Sequence, residues 1–210
     1  MKLEIKNLST NALKSLNLEI SKPGIYGIIG RNGVGKSTFF TAISDELKYS
    51  GEITVKDSLF SGRVSYVPSL SIFDENLKAQ DYIKELKGIE LENALKYMPK
   101  FHTDRFFTKP IKKYSLGMKE ILAFIYTISI EADVLIIDEL MNGLDHNMRN
   151  KAYEILKDLS QTRIILLTSH ILEEMENNCN QVYFLSKNGF SKVTNFENAK
   201  QLILETEVFL

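Results

Sequence analysis

The first six residues, Met1-Lys2-Leu3-Glu4-Ile5-Lys6, alternate apolar and charged side chains, and Leu16, Leu18 and Ile20 repeat the same two-residue period. That period predicts half-buried strands. Ile25-Tyr26-Gly27-Ile28-Ile29 is apolar apart from its glycine and runs into Gly30, as a strand covered on both faces would. A helix is expected over residues 36–47 and further strands over 51–55 and 63–67. From about residue 76 to 130 the apolar positions switch to helical spacing, carried by Leu77, Ile83, Leu86, Leu91, Leu95 and Met98. Strand and helix then alternate, with strands over 134–137, 164–167 and 182–185 and helices over 147–159 and 171–177. A partly apolar helix is expected over 196–210. Such alternation calls for a parallel sheet covered on both faces, and the helical block between two β-containing parts predicts an inserted subdomain.

Composition narrows the class. The chain has 210 residues, with Lys plus Arg 26 against Asp plus Glu 27 and a net charge of −1. That size supports one domain with a sizeable core, or a domain plus a small insert. The basic excess of a general nucleic-acid binder is missing, so no nucleic-acid partner is expected. The lone cysteine, Cys179, excludes an internal disulfide and a cysteine metal cluster. The most apolar run, residues 121–130, falls short of the roughly 18–20 residues that cross a bilayer, so no direct membrane insertion is expected.

Candidate chemistry begins after the buried strand. Gly30-Arg31-Asn32-Gly33-Val34-Gly35-Lys36-Ser37-Thr38 fits G-x-x-x-x-G-K-[ST] between an expected strand and an expected helix, the context this motif requires. Backbone amides of Asn32, Gly33, Val34 and Gly35 would turn toward phosphate oxygens, joined by those of Ser37 and Thr38 at the helix start. Lys36 would reach the β- and γ-phosphates, and the Ser37 hydroxyl would bind Mg²⁺. By itself the loop does not separate ATPases, GTPases and small-molecule kinases. Val134-Leu135-Ile136-Ile137 leads into Asp138-Glu139 at the strand end, where open α/β sheets bind ligands. Asp138 suits the metal's water shell, and Glu139 is placed to polarise a water. His170 follows the next strand and is a candidate γ-phosphate sensor. Tyr114-Ser115-Leu116-Gly117-Met118 opens a helix with Ser115 as its cap.

Together these segments resemble the nucleotide-binding subunit of ABC transporters, over about residues 1–195. Residues 30–38 match its Walker A loop, 134–139 its Walker B with the catalytic glutamate, and Tyr114 to Met118 its signature. Asn142-Gly143-Leu144-Asp145 matches its D-loop, and Thr168-Ser169-His170 its switch histidine. The form Tyr-Ser-Leu-Gly-Met is similar to signatures of small exporter ATPases that serve drug, lantibiotic or other peptide systems. The resemblance implies an α/β P-loop NTPase of ABC type. It would have a mainly parallel core sheet, an antiparallel β subdomain and an inserted helical subdomain. On this reading residues 1–210 form one domain. Residues 1–70 and 131–195 are the ATP-binding core, about 71–130 the helical subdomain, and 196–210 a C-terminal helix.

The resemblance also implies ATP and Mg²⁺ as cofactors, with the metal at Ser37 and Asp138 and catalysis by Glu139, His170 and Lys36. It implies a head-to-tail dimer in which Ser115 and Gly117 bind the nucleotide of the other subunit. An integral membrane permease would hold the chain on the cytoplasmic face of the membrane, through the helical block and residues 69–75. Phe73 is a candidate contact there or an ordinary core residue.

The pattern departs from the family at Ser69, which replaces the usual glutamine after Val67-Pro68 and is too short to reach both metal and water. It departs again within Leu8-Ser9-Thr10-Asn11-Ala12-Leu13, which lacks the aromatic that stacks on adenine. A nucleotide-gated interaction module with little turnover, or a soluble ABC ATPase not tied to transport, are the other readings. The stretch between Lys36 and Tyr114 is too short for the coiled coil of repair ATPases.

Overall fold

The computed structural model describes residues 1–204. In chain-order numbering, strand β1 (Lys2–Ser9) lies between β2 (Leu16–Ile20) and β4 (Ser50–Lys56) in a three-stranded antiparallel sheet. The alternation at its start survives: Leu3 and Ile5 are buried, while Glu4 points outward to Lys56 at 3.0 Å and Lys6 at 3.3 Å. Those three ammonium neighbours, Lys2 included, hold the Glu4 carboxyl down at about 2.

The second sheet has the order β5–β6–β7–β3–β8–β9. Its members are β3 (Gly24–Ile29), β5 (Val64–Tyr66), β6 (Val134–Asp138), β7 (Ile164–Thr168), β8 (Gln181–Ser186) and β9 (Gly189–Lys192). All pair in parallel except β9, which turns back on β8. Both faces are covered, which explains the unbroken apolar runs. On β6, Val134 and Ile136 join the core shared with β1, β2 and helix α1 (Lys36–Ile43). Leu135 and Ile137 join the core under the helical block. Ile164 and Leu166, and Ile165 and Leu167, divide β7 in the same way.

The helical block comprises α2 (Ala79–Glu85), α3 (Ile89–Tyr97) and α4 (Leu116–Ser129). The apolar run at 121–130 is mostly α4, which is buried nearly all round and therefore reads as hydrophobic on every side. Helices α5 (His146–Leu159), α6 (Leu172–Asn178) and α7 (Phe196–Leu204) follow. The α/β architecture is as expected, with a mostly parallel sheet, an antiparallel sheet and helices. Among the described residues no helix is long and apolar enough to cross a membrane.

Three local features differ from the expectation. The helix at 36–47 stops at Ile43, because Asp45 adopts a left-handed φ of 62°. Between α3 and α4 the chain runs largely in short 3₁₀ turns, where Pro99 and Pro110 oppose a continuous helix. Strand β9 was not expected, since Phe190 is its only large apolar residue. The hairpin is set by the two-residue turn Lys187-Asn188, with Ser186 opposite Gly189. The C-terminal helix is seen from Phe196 to Leu204, and residues 205–210 of that expectation lie outside the described residues.

Asp133, fully buried just before β6, anchors the loop that feeds β5. Its carboxylate accepts the amides of Leu59 at 2.7 Å, Phe60 at 3.1 Å and Gly62 at 2.7 Å. Replacing it with alanine orphans three partly buried donors, each of which costs roughly 1–3 kcal/mol unless water reaches it. Asp133→Ala is expected to lower unfolding stability by about 2–4 kcal/mol. A urea-denaturation loss below about 1 kcal/mol would show that this loop is held some other way.

Candidate functional site

Strands β3, β7 and β6 are neighbours, and their carboxyl ends carry the three segments singled out in the sequence. Residues 30–35 leave β3, Asp138 and Glu139 end β6, and Thr168 to His170 leave β7. Register makes the meeting close, since Asp138 lies directly beside Thr168.

The glycine-rich segment forms a loop that ends at α1. Gly35 is the N-terminal cap of α1 with φ 108° and ψ 21°. Any side chain there would be strained, and its Cβ would come 2.6 Å from the buried Leu13. Lys36 reaches back across the loop, with Nζ 2.9 Å from the Gly30 carbonyl and 3.3 Å from that of Arg31. The loop thus has an ammonium in its mouth and a helix N-terminus at its base, both suited to phosphate.

Asp138 is held from three sides. Ser37 Oγ donates to Oδ2 at 3.0 Å, Tyr66 Oη donates to the same oxygen at 3.1 Å, and Thr168 Oγ1 donates to Oδ1 at 2.6 Å. Thr168 Oγ1 also accepts the Glu139 amide at 2.9 Å. Burial, and next the charge of Asp138, push the Tyr66 phenol well above its ordinary range, so it remains a donor. Glu139 takes a left-handed φ of 58°, which turns the chain out of the strand. Its Oε1 lies 3.3 Å from His170 Nε2, and both side chains are exposed. Non-glycine residues in this conformation cluster at functional sites.

The oxygen donors fit Mg²⁺. A hydroxyl and a carboxylate are hard ligands, and among the described residues no cluster of three His, Cys, Asp or Glu forms a protein-only cage. This is the donor set of a metal that arrives with phosphate oxygens.

The signature lies apart from the phosphate loop. Ser115 caps α4, its Oγ accepting the Met118 amide at 3.3 Å. Among the described residues no hydrogen bond joins Ser115 or Gly117 to residues 30–38. Leu116 between them is 60% exposed. Ser69 is committed locally, as its Oγ accepts the Ser71 amide at 3.2 Å and lies 2.8 Å from Ser71 Oγ. Phe73 resolves as core, buried with its ring edge-on to Tyr82 at 5.0 Å, while the adjacent Ile72 is half exposed.

Three contributors escaped the sequence: Tyr66, Thr168 as an Asp138 partner, and Glu120, whose carboxylate accepts the Gly143 amide at 2.7 Å. Tyr66 and Thr168 sit at the ends of strands flanking β6, and that adjacency is the signal that would have found them.

The chain matches the ABC transporter family over residues 13–142, from just before β2 to the segment after Glu139. It belongs to the ABC transporter family. It is 32% identical to the ATP-binding protein BexA of Haemophilus influenzae, covering 93% of this chain and 90% of that one. It is 31% identical to the lantibiotic transport ATP-binding protein SrtF of Streptococcus pyogenes, covering 87% and 86% respectively. The solved structure of an ATP-binding subunit of an ABC transporter shares the fold, with TM-score 0.82, 23% identity and coverage of 97% and 95%. As an ABC ATP-binding subunit the chain binds ATP and hydrolyses it to drive transport, and subunits of this kind pair with membrane permeases.

Tyr66→Phe keeps the ring packed on Phe40 at 5.9 Å and removes only the hydroxyl that holds Asp138. ATP hydrolysis is expected to fall roughly 3–10-fold, about one hydrogen bond's worth, with ATP affinity unchanged. An unchanged rate at saturating ATP would show that Ser37 and Thr168 suffice.

Proposed function

We propose that this subunit drives an exporter of a peptide, lantibiotic or drug-like substrate, working as a head-to-tail dimer with ATP between the subunits. The observation that carries the site assignment is the convergence of Ser37, Thr168 and His170 on Asp138 and Glu139. The exporter reading is supported by the likeness to SrtF, whose name assigns it to lantibiotic transport, and by the form of residues 114–118. The dimer is supported by the distance between functions within one chain: a signature with an exposed Leu116 and no hydrogen bond to its own loop suits a partner's nucleotide.

In this reading, amides of residues 32–38 and the Lys36 ammonium hold the phosphates, and Ser115 and Gly117 of the other subunit close over the γ-phosphate. Ser37 would hold Mg²⁺ directly and Asp138 through water, and the bound metal would neutralise phosphate charge. Glu139 orients and deprotonates the attacking water, and His170, 3.3 Å away, keeps that carboxylate facing the phosphate. Residues 1–70 and 131–195 act as the ATP-binding core and 71–130 as the helical subdomain. The half-exposed Ile72 and Leu77 of that subdomain would face the permease, and the chain would sit on the cytoplasmic side of the membrane.

One observation favours the gated-module reading. Ser69 has a short side chain whose hydroxyl bonds within its own turn, so turnover without the permease should be slow. Purified protein is expected to release phosphate at least tenfold below a typical enzyme turnover of about 10 s⁻¹. A faster basal rate would remove Ser69 as a brake. A rate that stays as slow beside the native permease would favour the gated module.

Glu139→Gln should bind ATP, lose turnover and accumulate as an ATP-bound dimer on a sizing column. A variant that binds ATP yet elutes as a monomer would contradict the dimer or the role of Glu139.

A further inference from the structure

Glu120 lies on α4, three residues beyond Gly117 and on the same side of the helix. Only 4% of it is exposed, and its neighbours on the helix, Ile121 and Leu122, are core. No cation pairs with it among the described residues; the adjacent Lys119 is taken by Glu75 at 2.8 Å. Among the described residues its one hydrogen bond runs from the Gly143 amide to Oε2 at 2.7 Å. Burial raises the Glu120 carboxyl above its ordinary range, the Gly143 bond opposes this, and the charge of Glu139 adds to the rise. A buried acid so placed is worse for packing than a leucine, so the bond it makes is what the position provides.

Gly143 is held at both its N–H and its carbonyl. A Cβ on Gly117 would lie 2.8 Å from the Gly143 carbonyl oxygen, and a Cβ on Gly143 would lie 2.9 Å from Glu120 Oε2. Only a glycine in each place lets helix and loop approach this far. One residue earlier, the Asn142 amide donates to the Glu139 carbonyl at 3.3 Å and closes the turn that begins at Glu139. A continuous path therefore runs from Gly117 and Glu120 through Gly143 and Asn142 to Glu139.

We propose that Glu120 is a positioning residue for ATP hydrolysis: it anchors the loop after Glu139 to the signature helix and so fixes where the Glu139 carboxylate stands. The inference rests on Glu139 as the base. Glu120 touches no substrate and acts only through Gly143.

The test compares full-length wild type with Glu120→Leu, Glu120→Gln, Gly143→Ala and Glu139→Gln. Steady-state phosphate release gives kcat and KM, and hydrogen exchange follows the amides of residues 142–144. Glu120→Leu is expected to lower kcat about tenfold, with KM for ATP within about twofold and Gly143 exchange accelerated. Glu120→Gln keeps an acceptor for the same N–H and should restore kcat to within about twofold. Gly143→Ala wedges the contact with Glu120 intact, and should copy the kcat loss even if Glu120→Leu does not fold. Wild-type turnover in Glu120→Leu or Gly143→Ala would overturn the proposal, as would a Gln variant as impaired as Leu. Equal losses in ATP binding and turnover would also overturn it, since they mark a general folding defect. Glu139→Gln separates the two claims. If it retains turnover, the reading of Glu139 as base fails, while the exchange data still report whether Glu120 holds Gly143.

Discussion

Hydroxyls from three other segments converge on the Asp138 carboxylate, and the site depends on that convergence. Ser37 brings the helix of the phosphate loop, Tyr66 brings β5, and Thr168 brings β7. Each donor stands at or near an element end, so the carboxylate fixes the relative positions of elements far apart in sequence. Charge-assisted hydrogen bonds of this kind are stronger than neutral ones, and three on one carboxylate leave it little freedom. Thr168 extends the arrangement by accepting the Glu139 amide, so the orientation of Asp138 and the backbone turn at Glu139 are set by one hydroxyl.

That geometry needs a sheet whose strand ends do not drift. The apolar division of β6 and β7 between two cores supplies it. A one-residue slip of β6 would exchange Val134 and Ile136 with Leu135 and Ile137, and would carry Asp138 to the opposite face. With both faces packed, the register is specified twice over. The phosphate loop is fixed on the far side by a close approach, since Leu13 sits where a Gly35 side chain would be.

Much of this was legible in the chain. The buried strands were visible as apolar runs because two-sided burial removes alternation, and the phosphate loop was visible because its glycines are required by backbone geometry. Residues whose role is set by neighbours in the sheet were not visible. Tyr66 reads as one more strand aromatic until β5 is known to lie beside β6. Thr168 reads as part of a turn until its register with Asp138 is known. Phe73 stood open between core and surface because a lone aromatic in a loop carries no period, and its ring contacts with Tyr82 and Tyr126 decide for the core. Strand β9 was hidden by polarity, as an edge strand needs few apolar residues.

One departure from the family pattern bears on how the helical block and the Asp138 and Glu139 carboxylates could sense each other. One route would run from the helical block through the loop after β5, where a long amide side chain spans from backbone to metal. Here Ser69 ends within its own turn, and the contact to Asp138 comes from Tyr66, whose ring is locked by Phe40. Tyr66 steadies Asp138 and moves with β5, which α4 also holds, since Ser65 Oγ donates to the Thr127 carbonyl at 2.9 Å. The other route runs through α4, and there the contacts are tight: Gly117 against the Gly143 carbonyl and Glu120 on its amide. Rotation of α4 moves both contacts together, because they lie on one side of a single helix. A motion of α4 therefore has a direct contact path to the turn at Glu139 through Gly143.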